Sequence, residues 1–176
     1  LSEQPAEAND RVIPGHWEGN LIVGSASGSA TATLIKRTTR FVVLVHLPNG
    51  HSATALHDAL IGALNLMPLM LQRSLTWDQR TELAPHVEIT KATGVPIFFC
   101  DPHSPWQRGT NENTNDPLRQ YFPKGTDLNA HSAQRLLEIA TELNERPRKT
   151  LNQSTPADLL STLTSKKEIT RVASTP

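Results

Sequence analysis

The sequence predicts an α/β domain, a mixed five-stranded sheet flanked by helices, on three observations. Three strand-like runs follow one another before residue 50. The apolar period then changes to helical spacing, and two further short apolar strands alternate with helical segments. A length of 176 residues suits one domain with a real core.

The elements follow in order. Residues 1–14 are polar, carry Pro5 and Pro14, and read as a linker from a missing N-terminal region; the chain opens on Leu1 without an initiator Met. His16–Val23 is the first strand, closed by the Gly/Ser-rich turn Gly24–Ser29. Thr31–Arg37 is the second. Arg40–Leu47, β-branched and aromatic, is the third, and its composition suits a central strand buried on both faces. The polar Thr38-Thr39 turn joins the last two as a hairpin, so three antiparallel strands form a meander. Leu56, Leu60, Ala63, Leu64 and Met67 then make one helical stripe, with Ser52 as N-cap and Pro68 as the stop. Ser74–Trp77 is a short strand, Glu82–Thr93 a helix ended by Gly94, and Val95–Cys100 a buried strand. A turn-rich loop at 101–109 leads to a helix over Asn111–Tyr121, then a helix over Ser132–Leu143. Thr155 followed by Pro156 starts a last helix, with a loose tail after about residue 162. Three antiparallel strands running into α/β units give the ribonuclease H-like topology. The predicted organisation is linker 1–14, core 15–150, and a C-terminal helix with flexible tail over 151–176.

Composition narrows the function classes. Hydrophobic residues make 37% and charged residues 19%, which excludes a charge-rich disordered chain. No apolar run approaches the ~20 residues of a membrane span, and no signal peptide opens the chain, so the expected location is cytoplasmic. Seventeen basic residues balance seventeen acidic ones, so net charge does not advertise nucleic acid. The balance is local, however: residues 36–40 and 146–176 are basic, whereas 1–35 and 41–145 are acidic. A single cysteine, Cys100, closes an apolar strand and reads as a structural thiol; it excludes a disulfide framework or a multi-Cys zinc cluster.

Most catalytic patterns are missing. There is no Gly-x-Ser-x-Gly elbow, no metal-type spacing among the seven His, and no phosphate-cradling glycine loop. Carboxylates at strand ends are more informative, because such ends converge on one crevice in an open α/β sheet. Asp78 directly follows Ser74–Trp77, Asp101 follows Cys100, and Glu112 lies in a dense polar run. Two or three such carboxylates can hold Mg²⁺, which takes oxygen ligands. Each also has a plain reading as a turn or cap acid.

Three segments carry a resemblance: Gly15-His-Trp-Glu-Gly-Asn20, Ser74-Leu-Thr-Trp-Asp-Gln79 and Asp101-Pro-His-Ser-Pro-Trp-Gln-Arg-Gly-Thr-Asn-Glu-Asn113. With Tyr121–Asp127 and Leu143–Lys149, they resemble the catalytic core of bacterial DDE transposases of the insertion sequence thirty family, over roughly residues 10–160. The resemblance implies a triad of Asp, Asp and Glu holding two Mg²⁺ (or Mn²⁺) ions for DNA cleavage and strand transfer. Asp78 matches the second acid and Glu112 the third, with 33 residues between them, and both are expected metal ligands. The first acid should fall at position 20, where this chain has Asn20. A unit charge pair at ~4 Å is worth roughly 4 kcal/mol at an effective dielectric of about 20, so an activity loss of roughly a thousandfold or more is expected. Glu18, on the same strand face, is a partial substitute one pleat too early.

Two further departures surround the site. Arg80 stands where the family has Gly, with strain expected if the position needs positive φ and a cation brought close to Asp78. Pro117 is expected to clash with the carbonyl of Asn113 in the helix carrying Glu112. The resemblance also implies DNA, both element ends and target, as partner. Arg108, Arg119 and Lys124 are candidate phosphate contacts, with Arg146, Arg148 and Lys149 extending the track. Trp106 and His103 sit in the preceding loop, Trp106 as a packing residue. A homo-oligomer in a transposition complex and nucleoid association on DNA are implied too. The helix-turn-helix that reads the terminal repeats in this family has no place in residues 1–15, so weak DNA binding without sequence preference is expected. The competing readings are a non-catalytic remnant that binds DNA weakly or self-associates, and a hydrolytic nuclease of ribonuclease H type.

Overall fold

A computed structural model describes residues 13–25, 28–48, 50–100 and 117–172, with side chains to residue 165. Five strands form one sheet: β1 (His16–Val23), β2 (Ala30–Lys36), β3 (Val42–His46), β4 (Ser74–Trp77) and β5 (Ile97–Phe99). Their spatial order is β3-β2-β1-β4-β5. The first three pair antiparallel as a meander, and β4 and β5 join parallel to β1 and to each other. Among the described residues four longer helices accompany the sheet: α1 (Ala53–Asn65), α2 (His86–Thr93), α3 (Ala133–Glu145) and α4 (Pro156–Val172). The ribonuclease H-like expectation holds, five strands included.

Helices α1, α3 and α4 each start at a side-chain cap. The Ser52 hydroxyl accepts from the Ala55 N–H at 3.2 Å, and the Ser132 hydroxyl from the Arg135 N–H at 3.1 Å. Thr155 accepts from the Asp158 N–H at 3.0 Å, with Pro156 at the first helical position. Gly94 ends α2 at φ 72°, the left-handed conformation that glycine tolerates.

The alternation of β1 divides the core. Trp17 joins a cluster with Leu34, Leu56, Leu60, Leu75 and Trp77, under α1 and α2. Ile22 joins the opposite cluster with Leu118, Phe122, Leu136 and Leu143, under α3. Glu18 and Asn20 have the parity of Ile22 and share its face.

Four expectations are corrected. The apolar third strand is not central: β3 is the sheet edge, and β2, buried at every residue, lies inside it. An apolar groove lined by β3, α1 and α3 runs along this edge. Helices on both sides therefore explain the apolar composition. The backbone edge is also answered, because the buried Asn144 amide on α3 pairs with Val42, accepting from its N–H and donating to its carbonyl, both at 2.8 Å. Helix α2 begins at His86 rather than Glu82, since Pro85 supplies no N–H and the preceding residues form tight turns. Strand β5 is trimmed to Ile97–Phe99 behind Pro96. The last helix continues to Val172 instead of fraying after residue 162. No helix among the described residues is long and apolar enough to cross a membrane.

Candidate active site

Glycine makes the site's scaffold possible. A Cβ at Gly19 would lie 2.5 Å from the Trp77 ring, so only glycine lets that indole pack against β1. Trp77 is fully buried and its indole N–H donates to Glu82 at 3.0 Å. Gly19 and Trp77 are register partners of the parallel β1–β4 pair, and the Asp78 N–H donates to the Gly19 carbonyl at 3.3 Å. The next step of that register brings Asn20 and Asp78 to neighbouring positions. Two residues with 57 others between them in the chain are thus brought together by one strand pairing.

The neighbours of Asn20 are specific. Thr33, its register partner on β2 and wholly buried, donates its hydroxyl to Asn20 Oδ1 and also lies 3.4 Å from the Asn20 carbonyl. Glu18, the expected substitute, forms an ion pair with Arg37 at 2.9 Å, both side chains buried. Its carboxylate is committed to holding the ends of β1 and β2 together, which corrects the expectation that it covers for Asn20. Glu82 is half-buried beyond Asp78. Burial pushes its carboxyl above the ordinary value of 4.5, and the negative charge of Asp78 adds to this, while the Trp77 N–H and nearby His51 oppose it.

Arg80 is also corrected. It is exposed, has no positive φ, and lays its guanidinium 5.6 Å from the Phe99 ring centre. The position therefore tolerates a side chain, and the expected strain is absent. Glu112, Asp101, His103, Trp106 and Arg108 lie outside the described residues, as does Asn113, the partner expected to clash with Pro117.

Of the other basic residues, Arg119 and Lys124 are exposed on the segment anchored by buried Leu118 and Phe122. That segment is tied to the far end of β1, where the Ser25 N–H donates to the Thr126 carbonyl at 3.0 Å. Arg146 is not part of an open basic track. Its guanidinium bonds Tyr121 at 2.6 Å and Gln120 at 3.2 Å, pairs with Glu142, and stacks over the Tyr121 ring. Arg148 is half-buried, and burial followed by the Arg146 charge draws its guanidinium below the usual range.

The donors available to a metal can be compared with what divalent ions need. Mg²⁺ takes hard oxygen ligands, preferably charged. The described residues offer the Asp78 carboxylate and the Asn20 amide oxygen, which Thr33 already engages. No group of three or more His, Cys, Asp or Glu able to hold a metal occurs among the described residues. Among the described residues this set holds a single ligand carboxylate, one charge short of the pair that an acid at position 20 would make with Asp78; Glu112 lies outside them. Thr33, Arg37 and Glu82 are the neighbours that sequence reasoning missed. Only a correct strand register, with Asn20 opposite Thr33, signals the first of them.

The fold is that of retroviral integrase cores. The catalytic core domain of BIV integrase superposes with a TM-score of 0.62 at 15% identity, covering 87% of this chain and 98% of that one. A simian T-cell lymphotropic virus intasome, solved with the PP2A regulatory subunit B56 gamma, gives 0.64 at 16% identity, covering 84% and 55%. By sequence the chain belongs to the transposases of the insertion sequence thirty family. It is 52% identical over 157 residues to the transposase for IS1086 of Cupriavidus metallidurans, covering 89% of this chain and 46% of that protein. It is 45% identical over 160 residues to the transposase InsI for IS30A of Escherichia coli K12, covering 91% and 41%. The chain thus spans just under half the length of these relatives. No family profile matches it.

Proposed function

We propose that this chain is the catalytic-core portion of an insertion-sequence transposase, acting on DNA, with a strand-transfer centre impaired at Asn20. The observation that carries the reading is the β1–β4 register that sets Asn20 beside Asp78. An acid at position 20, Asp78 and Glu112 would together supply the oxygen ligands that divalent-metal chemistry of this class needs. Asn20 removes one charge from that set. Element ends and target DNA are the expected partners, with Arg108, Arg119 and Lys124 on phosphates, in a homo-oligomeric complex associated with the nucleoid.

A second reading, a non-catalytic module that binds DNA weakly or self-associates, is favoured by the bond that ties the Asn20 amide to Thr33. One experiment separates the two. The parent core and Asn20→Asp, each fused to the N-terminal half of the Cupriavidus relative, are assayed for Mg²⁺- or Mn²⁺-dependent nicking and joining of element-end DNA. We expect background activity from the parent and a gain of roughly a thousandfold or more from the reverted protein. Full activity with Asn20 in place would overturn the proposal. A reverted protein that binds metal but stays inactive would favour the second reading.

A further inference from the structure

We infer that Thr33 is a positioning residue that decides which atom of side chain 20 is left to face a cation; this rests on the proposed role of position 20. Thr33 is wholly buried, sits opposite residue 20 in the β1–β2 ladder, and donates its hydroxyl to Asn20 Oδ1. A hydroxyl has one proton to give. The Asn20 carbonyl, at 3.4 Å, is the weaker of its two possible acceptors. Nor is Glu18, next on the same face, available in place of residue 20, since Arg37 holds it at 2.9 Å.

The consequence depends on the chemistry at position 20. A carboxylate has two equivalent acceptor oxygens, whereas an amide has one acceptor end and one donor end, and its orientation follows from its hydrogen bonds. With Asp at 20, the Thr33 hydroxyl would fix one oxygen and leave the other for a metal. With Asn20, the same hydroxyl occupies one lone pair of the only acceptor oxygen and holds that oxygen toward β2, so the amino group, which repels cations, is turned to the opposite side. One unchanged threonine therefore supports an acid at position 20 and aggravates its loss. Asn20 is a poorer ligand in this setting than a free amide would be.

The two settings give opposite signs, which a structural role for Thr33 would not. The 176-residue chain and its Asn20→Asp form are each prepared with Thr33, Thr33→Val and Thr33→Ser, with folding checked by amide spectra. Mn²⁺ affinity is measured by calorimetry, and the Asn20 side-chain carbonyl carbon resonance by NMR. In the Asn20→Asp background, Thr33→Val should weaken Mn²⁺ binding by roughly tenfold, as loss of a group orienting a metal ligand does. In the parent it should strengthen binding by about two- to tenfold, the worth of the hydrogen bond that no longer holds the amide. Thr33→Ser should match Thr33 in both. The Asn20 resonance should move in Thr33→Val and return in Thr33→Ser. A change of the same sign in both backgrounds, or an unmoved resonance, overturns the inference. If Asn20→Asp gains no Mn²⁺ affinity, position 20 fails as a ligand, and the resonance still decides the role of Thr33. Should Thr33→Val not fold, Thr33→Ala compared with Thr33→Ser reads the same resonance.

Discussion

At the scale of single residues, Gly19 shows how closely the site depends on one missing carbon. A Cβ there would overlap the Trp77 ring at 2.5 Å. Gly19→Ala should therefore destabilise the fold by about 1–3 kcal/mol, the usual cost of overpacking, seen as a lower urea midpoint. Glu82 gives a pH-dependent effect. Its folded-state carboxyl titrates above 4.5, so the folded state favours the protonated form. The stability this group contributes is present below 4.5 and is lost as pH rises through the raised folded value. Glu82→Gln should remove that decline, flattening the pH dependence of thermal midpoints above 4.5; an unchanged slope would show that another group titrates there. Asp78 was legible in the sequence because strand ends in this topology gather chemistry, and Asn20 through the family resemblance alone. Thr33 was not. Nothing in its local sequence marks it, and its role depends on which residue the hairpin sets opposite Asn20.

At the scale of elements, β3 shows where sequence patterning misleads. Its apolar, β-branched run reports cover on both faces, which suggests a central position. Double cover and central position coincide in many sheets, but here α1 and α3 clasp an edge strand. The outer backbone of β3 is met at Val42 by the side chain of Asn144 in place of another strand. Asn144→Ala leaves a buried N–H and carbonyl unmatched and should cost about 1–3 kcal/mol, measured by chemical denaturation. It should also raise aggregation, since an uncovered edge is a template for pairing. Helix starts at Ser52 and Thr155 were legible from cap chemistry, that at Ser132 from its apolar stripe, and the stop of α2 from the glycine at 94. The start of α2 was less so, because the apolar period runs through residues 82–85 whereas Pro85 interrupts the hydrogen bonding.

At the scale of the whole molecule, a net charge of zero conceals acidic and basic stretches that alternate along the sequence. Arg146 is bound up with Tyr121 and Glu142, so it contributes less to an open phosphate track than its place in the basic tail suggests. Arg119 and Lys124 remain exposed on the segment tied to the end of β1. Replacing both with alanine should weaken duplex DNA binding at low salt and reduce the slope of log affinity against log salt by up to ~2. An unaltered slope, measured by fluorescence anisotropy across salt concentrations, would remove these residues from the interface.

The strand pairing that sets Asn20 beside Asp78 has one more consequence. The register is held by Gly19, Trp77, the ladder bonds and the Glu18–Arg37 pair, and none of these requires an acid at position 20. Asp and Asn have nearly the same shape, and Thr33 has a hydroxyl for either. Foldedness therefore gives selection no grip on this position: a lineage can exchange the acid for the amide and back again in single steps, with the fold intact at each. Chemistry can lapse here without the scaffold recording it, and one substitution is all that separates the two states at this position.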